Sequence, residues 1–256
     1  MKIGLCLEGG GSKGAYQAGV IKALVDGGIG EFYSVAGTSI GAMNGYFLYT
    51  DNIDKMVQLW TDVEKNGANK VRIIDNTVDN SPMIRRIEGI YSQDRIKIHA
   101  QNLYVNYVEV ENKEAREVVV NLANMSERDC LEAVKYSSLL PHSPNSRDNF
   151  RDAFLRDLET GIYDGFKLDG GTINNRLIEP IIADSVDKII LITMRSDYIL
   201  QDKIKEVFPE ENVFVIRPKI AFAPEDTFKF RGDFCRVNYY RGYDIGKEFV
   251  EEVWNK

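Results

Sequence analysis

Two glycine-rich turns, each placed between a strand-like and a helix-like segment, constrain the fold of this chain more than any other feature. Ile3–Leu7 is a short apolar segment typical of a buried strand, and residues 9–14 (GGGSKG) follow it before a helical pattern. Residues 32–36 are a second strand-like segment, and residues 37–41 (GTSIG) follow it before another helical pattern. Strands that alternate with helices predict an α/β fold with a mainly parallel sheet. Both turns then leave the carboxyl edge of that sheet, where α/β proteins build their sites.

The rest of the chain continues the same alternation. Hydrophobic periodicity predicts helices over residues 14–26, 40–50, 53–64, 126–136 and 243–254. A further helix is predicted to begin at Ser81-Pro82, because proline is favoured at the first helical position. Strand-like segments occupy residues 103–110, 117–122, 188–193 and 213–216, the first two as a hairpin. No repeat, low-complexity segment or linker interrupts the sequence. We therefore predict one domain over residues 1–256, built as a three-layer α/β/α sandwich around a mainly parallel central sheet.

The charge and cysteine content exclude several classes of protein. A net charge of −7 disfavours nucleic acid as the main partner, because phosphate binding needs a basic surface. Cys6, Cys130 and Cys235 lie far apart without CxxC spacing, so neither a zinc site nor a disulfide framework is indicated. The N-terminus turns polar too early for a signal peptide, and the apolar runs are too short to cross a bilayer. We expect a cytoplasmic protein with reduced cysteines.

The second glycine turn has the spacing of a nucleophile elbow. Gly37 and Gly41 flank Ser39 and let the backbone turn sharply enough to expose its hydroxyl group. The motif also needs a strand before it and a helix after it, and both patterns are present. A serine becomes a nucleophile only when a base takes its proton. Ser39 is therefore a candidate nucleophile that requires a partner elsewhere in the chain.

The first glycine turn admits three interpretations. Gly9, Gly11 and Gly14 match the GxGxxG pattern of dinucleotide-binding folds, but the second strand runs into the serine elbow instead of ending on an acidic residue. A tight turn without a ligand is the second interpretation, although three consecutive glycines lose much backbone entropy on folding. The third is an oxyanion hole, in which the N–H groups of Gly9, Gly10 and Gly11 receive the negative charge of a reaction intermediate. We favour the oxyanion hole.

The base that would activate Ser39 is harder to find. His99 and His142 both precede Asp169, so the Ser–Asp–His order of α/β-hydrolases cannot be assembled with this aspartate. Asp169, which opens a DGG turn, remains as a direct base, although an aspartate at such a position also forms turns. Lys13 is an alternative base, but a lysine beside the glycine loop is better suited to supply positive charge. We expect both histidines to be structural.

The three motifs, in this order, resemble those of the patatin-like phospholipase family. The family pattern of GGGx(R/K)G, GxSxG and DG(G/A) is matched at residues 9–14, 37–41 and 169–171. Residues 137–141 (SSLLP) are similar to the SxxxP stretch that precedes the aspartate in the family. The similarity covers about the first fifty residues and residues 134–193. It implies a patatin-like α/β/α fold.

The resemblance also implies a site. Ser39 is then the nucleophile and Asp169 the base of a dyad without histidine, and the amides of the first glycine turn form the oxyanion hole. The other motif residues support this geometry, and they are Lys13, Gly14, Gly37, Gly41, Gly170 and Gly171. Lys13 takes the basic position of the family loop. No metal and no cofactor is expected.

The activity implied by the family is hydrolysis of lipid acyl esters, as by a phospholipase A or a lysophospholipase-type esterase. An acyltransferase would use the same dyad with an alcohol in place of water, and the motifs do not separate the two. A non-catalytic module that binds a nucleotide or a lipid through the glycine loop is the alternative from another class. The sequence leaves the head group, the acyl length and the oligomeric state open.

Two charged segments bear on access to this site. Residues 227–241 carry four basic residues against one acidic residue, with interleaved Phe and Tyr side chains. Such a mixture suits peripheral contact with the anionic inner face of a membrane. The other interpretation is that the aromatic side chains are half-buried at the sheet edge and the arginines are solvated. Residues 145–161 form a charged stretch before the aspartate, either the solvated face of a helix or a lid.

Overall fold

Helices alternate with strands along the chain, as the hydrophobic periodicity predicts. The structure, a computed structural model, describes residues 1–63, 71–143 and 150–254. Its α-helices are α1 (Gly14–Asp26), α2 (Ile40–Tyr49), α3 (Ile53–Thr61), α4 (Ser81–Ile87), α5 (Glu127–Ser137), α6 (Phe150–Thr160), α7 (Glu179–Ala183), α8 (Asp202–Lys205) and α9 (Gly232–Phe249). Short 3-10 turns occur at Gly11–Lys13, Leu122–Asn124, Gly170–Thr172, Glu210–Asn212 and Pro224–Phe228, and a π-helical turn, Val250–Trp254, continues α9.

A mixed but mainly parallel sheet lies at the centre. Its strands are β1 (Ile3–Leu7), β2 (Phe32–Thr38), β5 (Ala100–Glu111), β6 (Glu114–Asn121), β7 (Lys167–Asp169), β8 (Lys188–Ile192) and β9 (Val213–Ile216), and a separate hairpin is formed by β3 (Ile73–Ile74) and β4 (Thr77–Val78). Within the described ranges the strand order is β6-β5-β2-β1-β8-β9, with β7 also paired to β5. Only the β5–β6 and β5–β7 pairs of this sheet are antiparallel. The predicted parallel sheet and the predicted hairpin after residue 103 are both confirmed.

Both faces of this sheet are covered, which explains the continuous apolar character of its strands. In β1, Leu5 and Leu7 are fully buried in the core shared with α1, α2 and α9, whereas the intervening Cys6 points to the opposite face. The opposite face packs against apolar side chains of α7 and α8, such as Ile181 and Ile204. The expected three-layer α/β/α architecture is therefore confirmed.

Strand β5 brings the ends of two other strands together. Its consecutive residues Asn106 and Tyr107 pair, on one edge, with Thr38 at the end of β2 and with Asp169 at the end of β7. The other edge of β5 is occupied by β6 over the same residues. Because β2 runs parallel to β5 and β7 runs antiparallel to it, the carboxyl ends of β2 and β7 meet. The topology therefore places Ser39, which follows β2, beside Asp169.

The C-terminal helix is longer than predicted, because α9 begins well before residue 243. Glycines let this helix lie very close to α1: a Cβ on Gly242 would lie 1.9 Å from the Tyr16 carbonyl oxygen, and one on Gly19 would lie 2.0 Å from that of Tyr239. The close approach of the two helices thus depends on glycines, which have no side chain. Hydrophobic periodicity does not detect such a contact. Over the described residues, no helix is both long enough and apolar enough to cross a membrane.

Two predicted segments extend beyond the described residues. Of residues 145–161, the structure describes those from 150 onward, and residues 150–160 form α6. Phe154 of this helix stacks on Tyr163, with ring centroids 5.7 Å apart, in a small core shared with β5 and β7. This contact is typical of a packed helix. The helix predicted over residues 53–64 ends at Thr61, and its last predicted residue lies outside the described ranges.

Candidate active site

Ser39 lies on a strained turn between β2 and α2. Its φ of 57° and ψ of −122° place it in a region that non-glycine residues rarely adopt, as a nucleophile elbow requires. A Cβ on Gly37 would lie 2.4 Å from the Gly41 carbonyl oxygen, and one on Gly41 would lie 2.2 Å from that of Leu7, so both positions need glycine. The Ser39 N–H donates to the Ser137 hydroxyl over 2.9 Å, which ties the elbow to the end of α5. The surrounding structure therefore holds the strained turn in place.

Asp169 ends β7, and only 2% of its surface is exposed. Its carboxylate accepts a hydrogen bond 2.8 Å long from the Gly171 N–H, and Asp169 lines the same cavity as Ser39. Burial raises the pKa of this carboxyl group from 3.8 to about 7, and the nearby Ser39 hydroxyl and the Gly171 N–H oppose the rise. Gly170 packs over the Asn106 side chain, since a Cβ there would lie 2.4 Å from Asn106 Oδ1. A carboxyl group with a pKa near neutrality is suited to take a proton from a serine at physiological pH.

The glycine loop lies beside the elbow because β1 and β2 are parallel neighbours. The Gly9 N–H donates to the Asn175 carbonyl oxygen over 3.3 Å, so this amide is engaged within the protein. The N–H groups of Gly10 and Gly11 have no hydrogen-bond partner among the residues that the structure describes. Both glycines line the same cavity as Ser39. The geometry therefore favours Gly10 and Gly11, rather than Gly9, as donors to an oxyanion.

The end of the glycine loop contributes charge and packing. Lys13 lines the cavity, and burial lowers the pKa of its ammonium group, while the carboxylates of Glu8 and Asp226 oppose that shift. Gly14 begins α1 against α2, since a Cβ there would lie 2.4 Å from the Ile40 side chain. Lys13 thus places a basic group at the cavity wall, and Gly14 allows the close approach of the two helices.

Both histidines lie away from Ser39 and Asp169. The His99 carbonyl accepts from the N–H of Phe32 at the start of β2, so His99 and Ser39 lie at opposite ends of that strand. One ring nitrogen of His99 lies 3.1 Å from the Asp51 carboxylate, which accounts for a structural role. His142 is exposed and does not line the cavity. In the described ranges, no three His, Cys, Asp or Glu side chains lie close enough together to hold a metal ion.

Ser39 lines a cavity of about 440 Å³. Around the serine its lining is polar, with the glycine loop, Lys13 and Asp169. Much of the remaining wall is apolar, with Met43, Val78, Pro82, Met83, Leu140, Phe228 and Phe230. Among the described residues of α6, none lines this cavity. Its volume and its lining are typical of sites for small organic molecules with an apolar part.

The basic and aromatic segment, residues 227–241, lies at this cavity and on α9. Phe228 and Phe230 line the cavity, and the residues from 232 onward belong to α9, so the interpretation that places these aromatic side chains at the sheet edge is wrong. Two of its cations are paired with aspartates, as in the 2.6 Å contact of Lys229 with Asp226. This pairing reduces the positive charge that the segment offers to an anionic surface. Its contact with a membrane stays a prediction.

Several side chains that hold the site together were not predicted. Ser137 belongs to the SSLLP stretch, and its hydroxyl accepts a hydrogen bond from the N–H of the elbow residue Ser39. Glu8 pairs with Arg176 over 2.5 Å, and Asn106 accepts from the Thr38 hydroxyl over 2.8 Å. A signal was present in the sequence, because Glu8 and Asn106 are polar residues at or within buried strands. Such residues need partners, but the sequence does not say which.

Comparison with known proteins agrees with this geometry. The model of the patatin-like phospholipase family matches residues 5–182. Among solved structures, VipD from Legionella pneumophila is similar, with a TM-score of 0.52 and 12% sequence identity over 98% of this chain and 66% of VipD. The type III effector ExoU of Pseudomonas aeruginosa is similar with a TM-score of 0.50 and 12% identity over 98% of this chain and 52% of that one. The search of curated proteins finds no match.

These comparisons differ in what they establish. At 12% identity, the two solved structures show a shared fold, and this chain spans about two thirds of one and half of the other. The family model, in contrast, covers more than half of the chain and includes all three glycine motifs. The chain therefore belongs to the patatin-like phospholipase family, and this membership supports lipid acyl hydrolysis as its chemistry.

Proposed function

We propose that this protein is a serine lipid acyl hydrolase in which Ser39 and Asp169 form a catalytic dyad. The observation that carries the proposal is a serine on a strained elbow that shares one cavity with a buried carboxyl group whose pKa is raised to about 7. Family membership supports it, and so does a cavity whose apolar wall suits an acyl chain. The substrate is accordingly an acyl ester of a lipid.

In the acylation step, the Ser39 oxygen attacks the carbonyl carbon of the ester while Asp169 takes the serine proton. The carbonyl oxygen gains negative charge, which the free N–H groups of Gly10 and Gly11 are available to stabilise. Helices α1 and α2 both begin at this edge of the sheet, and their N-terminal ends favour negative charge there. When the tetrahedral intermediate collapses, Asp169 returns the proton to the leaving alcohol. The acyl group stays on Ser39 as an ester.

The deacylation step repeats this sequence with water. Asp169 takes a proton from the water as its oxygen attacks the acyl-enzyme carbonyl, and the proton then returns to the departing Ser39 oxygen. The fatty acid leaves and the dyad is restored. An alcohol in place of water would transfer the acyl group instead of releasing it.

A fluorophosphonate probe and a soluble short-chain ester test the dyad. We expect wild type to be labelled and to hydrolyse the ester, and Ser39→Ala to do neither. Asp169→Asn should lower turnover by about 10²–10⁴-fold, because it cannot accept the serine proton. Equal labelling of wild type and Ser39→Ala would rule out this nucleophile. The same assay with glycerol added distinguishes a hydrolase from an acyltransferase. A hydrolase releases free fatty acid, whereas an acyltransferase forms a glycerol ester.

A structure of the phosphonate adduct tests the oxyanion hole. The phosphoryl oxygen on Ser39 should accept hydrogen bonds from the Gly10 and Gly11 N–H groups. Losing one such donor typically costs about 10²–10³-fold in turnover, so this contact is a large part of the proposed catalysis. An oxygen that points to solvent, with both amides bonded elsewhere, would contradict the assignment.

A further inference from the structure

We propose that Glu8, Asn175 and Arg176 form a clamp that sets the position of the glycine loop relative to Asp169. Glu8 and Arg176 are positioning residues for the reaction, and Asn175 in addition lines the cavity that contains Ser39. This inference rests on the proposed function, because the loop that the clamp holds is the proposed oxyanion hole. The clamp joins residues from two parts of the chain that neither the glycine motifs nor the aspartate motif includes.

Glu8 directly precedes the glycine loop, and only 2% of its surface is exposed. One carboxylate oxygen accepts from the Arg176 guanidinium over 2.5 Å and from the Asn175 amide over 3.4 Å. The other oxygen accepts from the Thr193 hydroxyl over 2.5 Å and from the Met194 N–H over 2.6 Å. A buried charge with this many donors is held in one position, and removing a partner would leave it uncompensated. Glu8 therefore fixes the start of the loop to the end of β8 and to the chain that follows the DGG turn.

Asn175 fills the space between the glycine loop and the DGG turn. Its backbone oxygen accepts from the Gly9 N–H over 3.3 Å, and its side-chain amide donates to the Gly9 carbonyl over 3.2 Å. A Cβ on Gly9 would lie 2.3 Å from Asn175 Oδ1, and one on Gly171 would lie 2.6 Å from the same atom. Since the Gly171 N–H also donates to Asp169, Asn175 contacts both loops of the site. One side chain thus sets the separation between them.

Arg176 completes the clamp from outside the cavity. Its guanidinium lies 4.9 Å from the centroid of the Tyr198 ring, and its side chain is 20% exposed. Neither Glu8 nor Arg176 lines the cavity that contains Ser39. The two residues therefore act on the reaction through the loop and not by touching substrate. A displacement of about 1 Å at a reacting centre costs on the order of 10²-fold in rate.

The clamp is tested with Glu8→Gln and Asn175→Ala, and Glu132→Gln is the matched control. Glu132 makes an exposed ion pair with Arg128 on α5, with an N–O distance of 3.4 Å. Turnover of a soluble ester is measured per active site, counted by fluorophosphonate labelling. Glu8→Gln and Asn175→Ala should each lower kcat by about 10–100-fold, and the control should match wild type. For Glu8→Gln, whose side chain lies outside the cavity, KM should change by less than about twofold. Arg176→Lys, which keeps the charge, should retain more kcat than Arg176→Met.

A purely structural role predicts a different result, namely fewer folded molecules with unchanged kcat per site. That result would overturn the clamp and leave the proposed function standing. Hydrogen exchange of the peptide that contains residues 9–14 provides a second measurement that needs no activity. It should be faster in Glu8→Gln and Asn175→Ala than in wild type or the control, and equal exchange would overturn the clamp. Should Glu8→Gln unfold, the hydrogen exchange of Asn175→Ala decides, because this variant leaves the ion pair intact. A wild type that is neither labelled nor active would instead defeat the proposed function.

Discussion

Replacing Asp169 with asparagine should stabilise the folded protein at neutral and alkaline pH while it removes activity. The wild-type carboxyl group has a pKa raised by burial from 3.8 to about 7, whereas asparagine has the same shape and no charge. The difference between these two pKa values corresponds to about 4 kcal/mol of folding free energy. Burial of a charged base lowers the free energy of unfolding, and such a loss of stability is expected at a residue that is kept for function.

The sign of this effect depends on pH. Between pH 4 and pH 7 the folded protein keeps a proton on Asp169 that the unfolded chain has released. The free energy of unfolding of wild type therefore falls as the pH rises through this interval, and above pH 7 the full cost of the buried charge is present. Asp169→Asn does not carry this charge. Its advantage over wild type should be absent near pH 4 and should reach up to about 4 kcal/mol at pH 8.

Urea unfolding of both proteins at pH 5, 6, 7 and 8 measures the effect. Asp94→Asn is the control for removing a carboxylate from an exposed position. Ser39→Ala should behave oppositely to Asp169→Asn, because losing the nearby serine hydroxyl raises the pKa of Asp169 further and increases the cost of its charge. If the free energy of unfolding of Asp169→Asn differs from that of wild type by the same amount at pH 5 and at pH 8, burial does not raise the pKa of Asp169.

Three further predictions concern activity. Since Asp169 must be ionised to act as a base, kcat/KM of wild type should rise with pH through about 7 and then level off, and a profile flat from pH 5 to 9 would contradict this role. His99→Ala and His142→Ala should each keep most of the esterase activity in a standard ester assay, and a folded histidine variant as inactive as Ser39→Ala would refute the dyad. Activity should persist in EDTA, because the described residues hold no cluster suited to a metal ion. A loss of activity in EDTA that is reversed by added metal would contradict this prediction.

The site motifs were predictable because each is local. A glycine turn between a strand and a helix leaves its pattern within about ten residues, as at Ser39 and at the glycine loop, and a parallel sheet brings two such turns to one edge. The DGG turn was recognised in the same way. Its place in the sheet was not, because β7 has three residues and its antiparallel pairing with β5 leaves no signal in the sequence.

The contacts that hold these motifs together are non-local, and for this reason the sequence did not indicate them. Glu8 and Arg176 are separated by 168 positions, and nothing around either residue specifies the other. The early start of α9 was missed for a related reason. That helix is held against α1 by close backbone contact at Gly242, where hydrophobic periodicity gives no signal.

The pairing of β1 with β8 has a consequence for any attempt to express the family-matched part of this chain alone. A fragment that ends at residue 182, where the family match ends, lacks β8, β9 and α9. In it, β1 would become an open edge with unpaired backbone groups, and the apolar surface of α1 would face water. Such a fragment should aggregate. It would also lose Asp226, whose backbone carbonyl accepts a hydrogen bond from the Ser12 hydroxyl, so the glycine loop would lose one of the contacts that hold it in place.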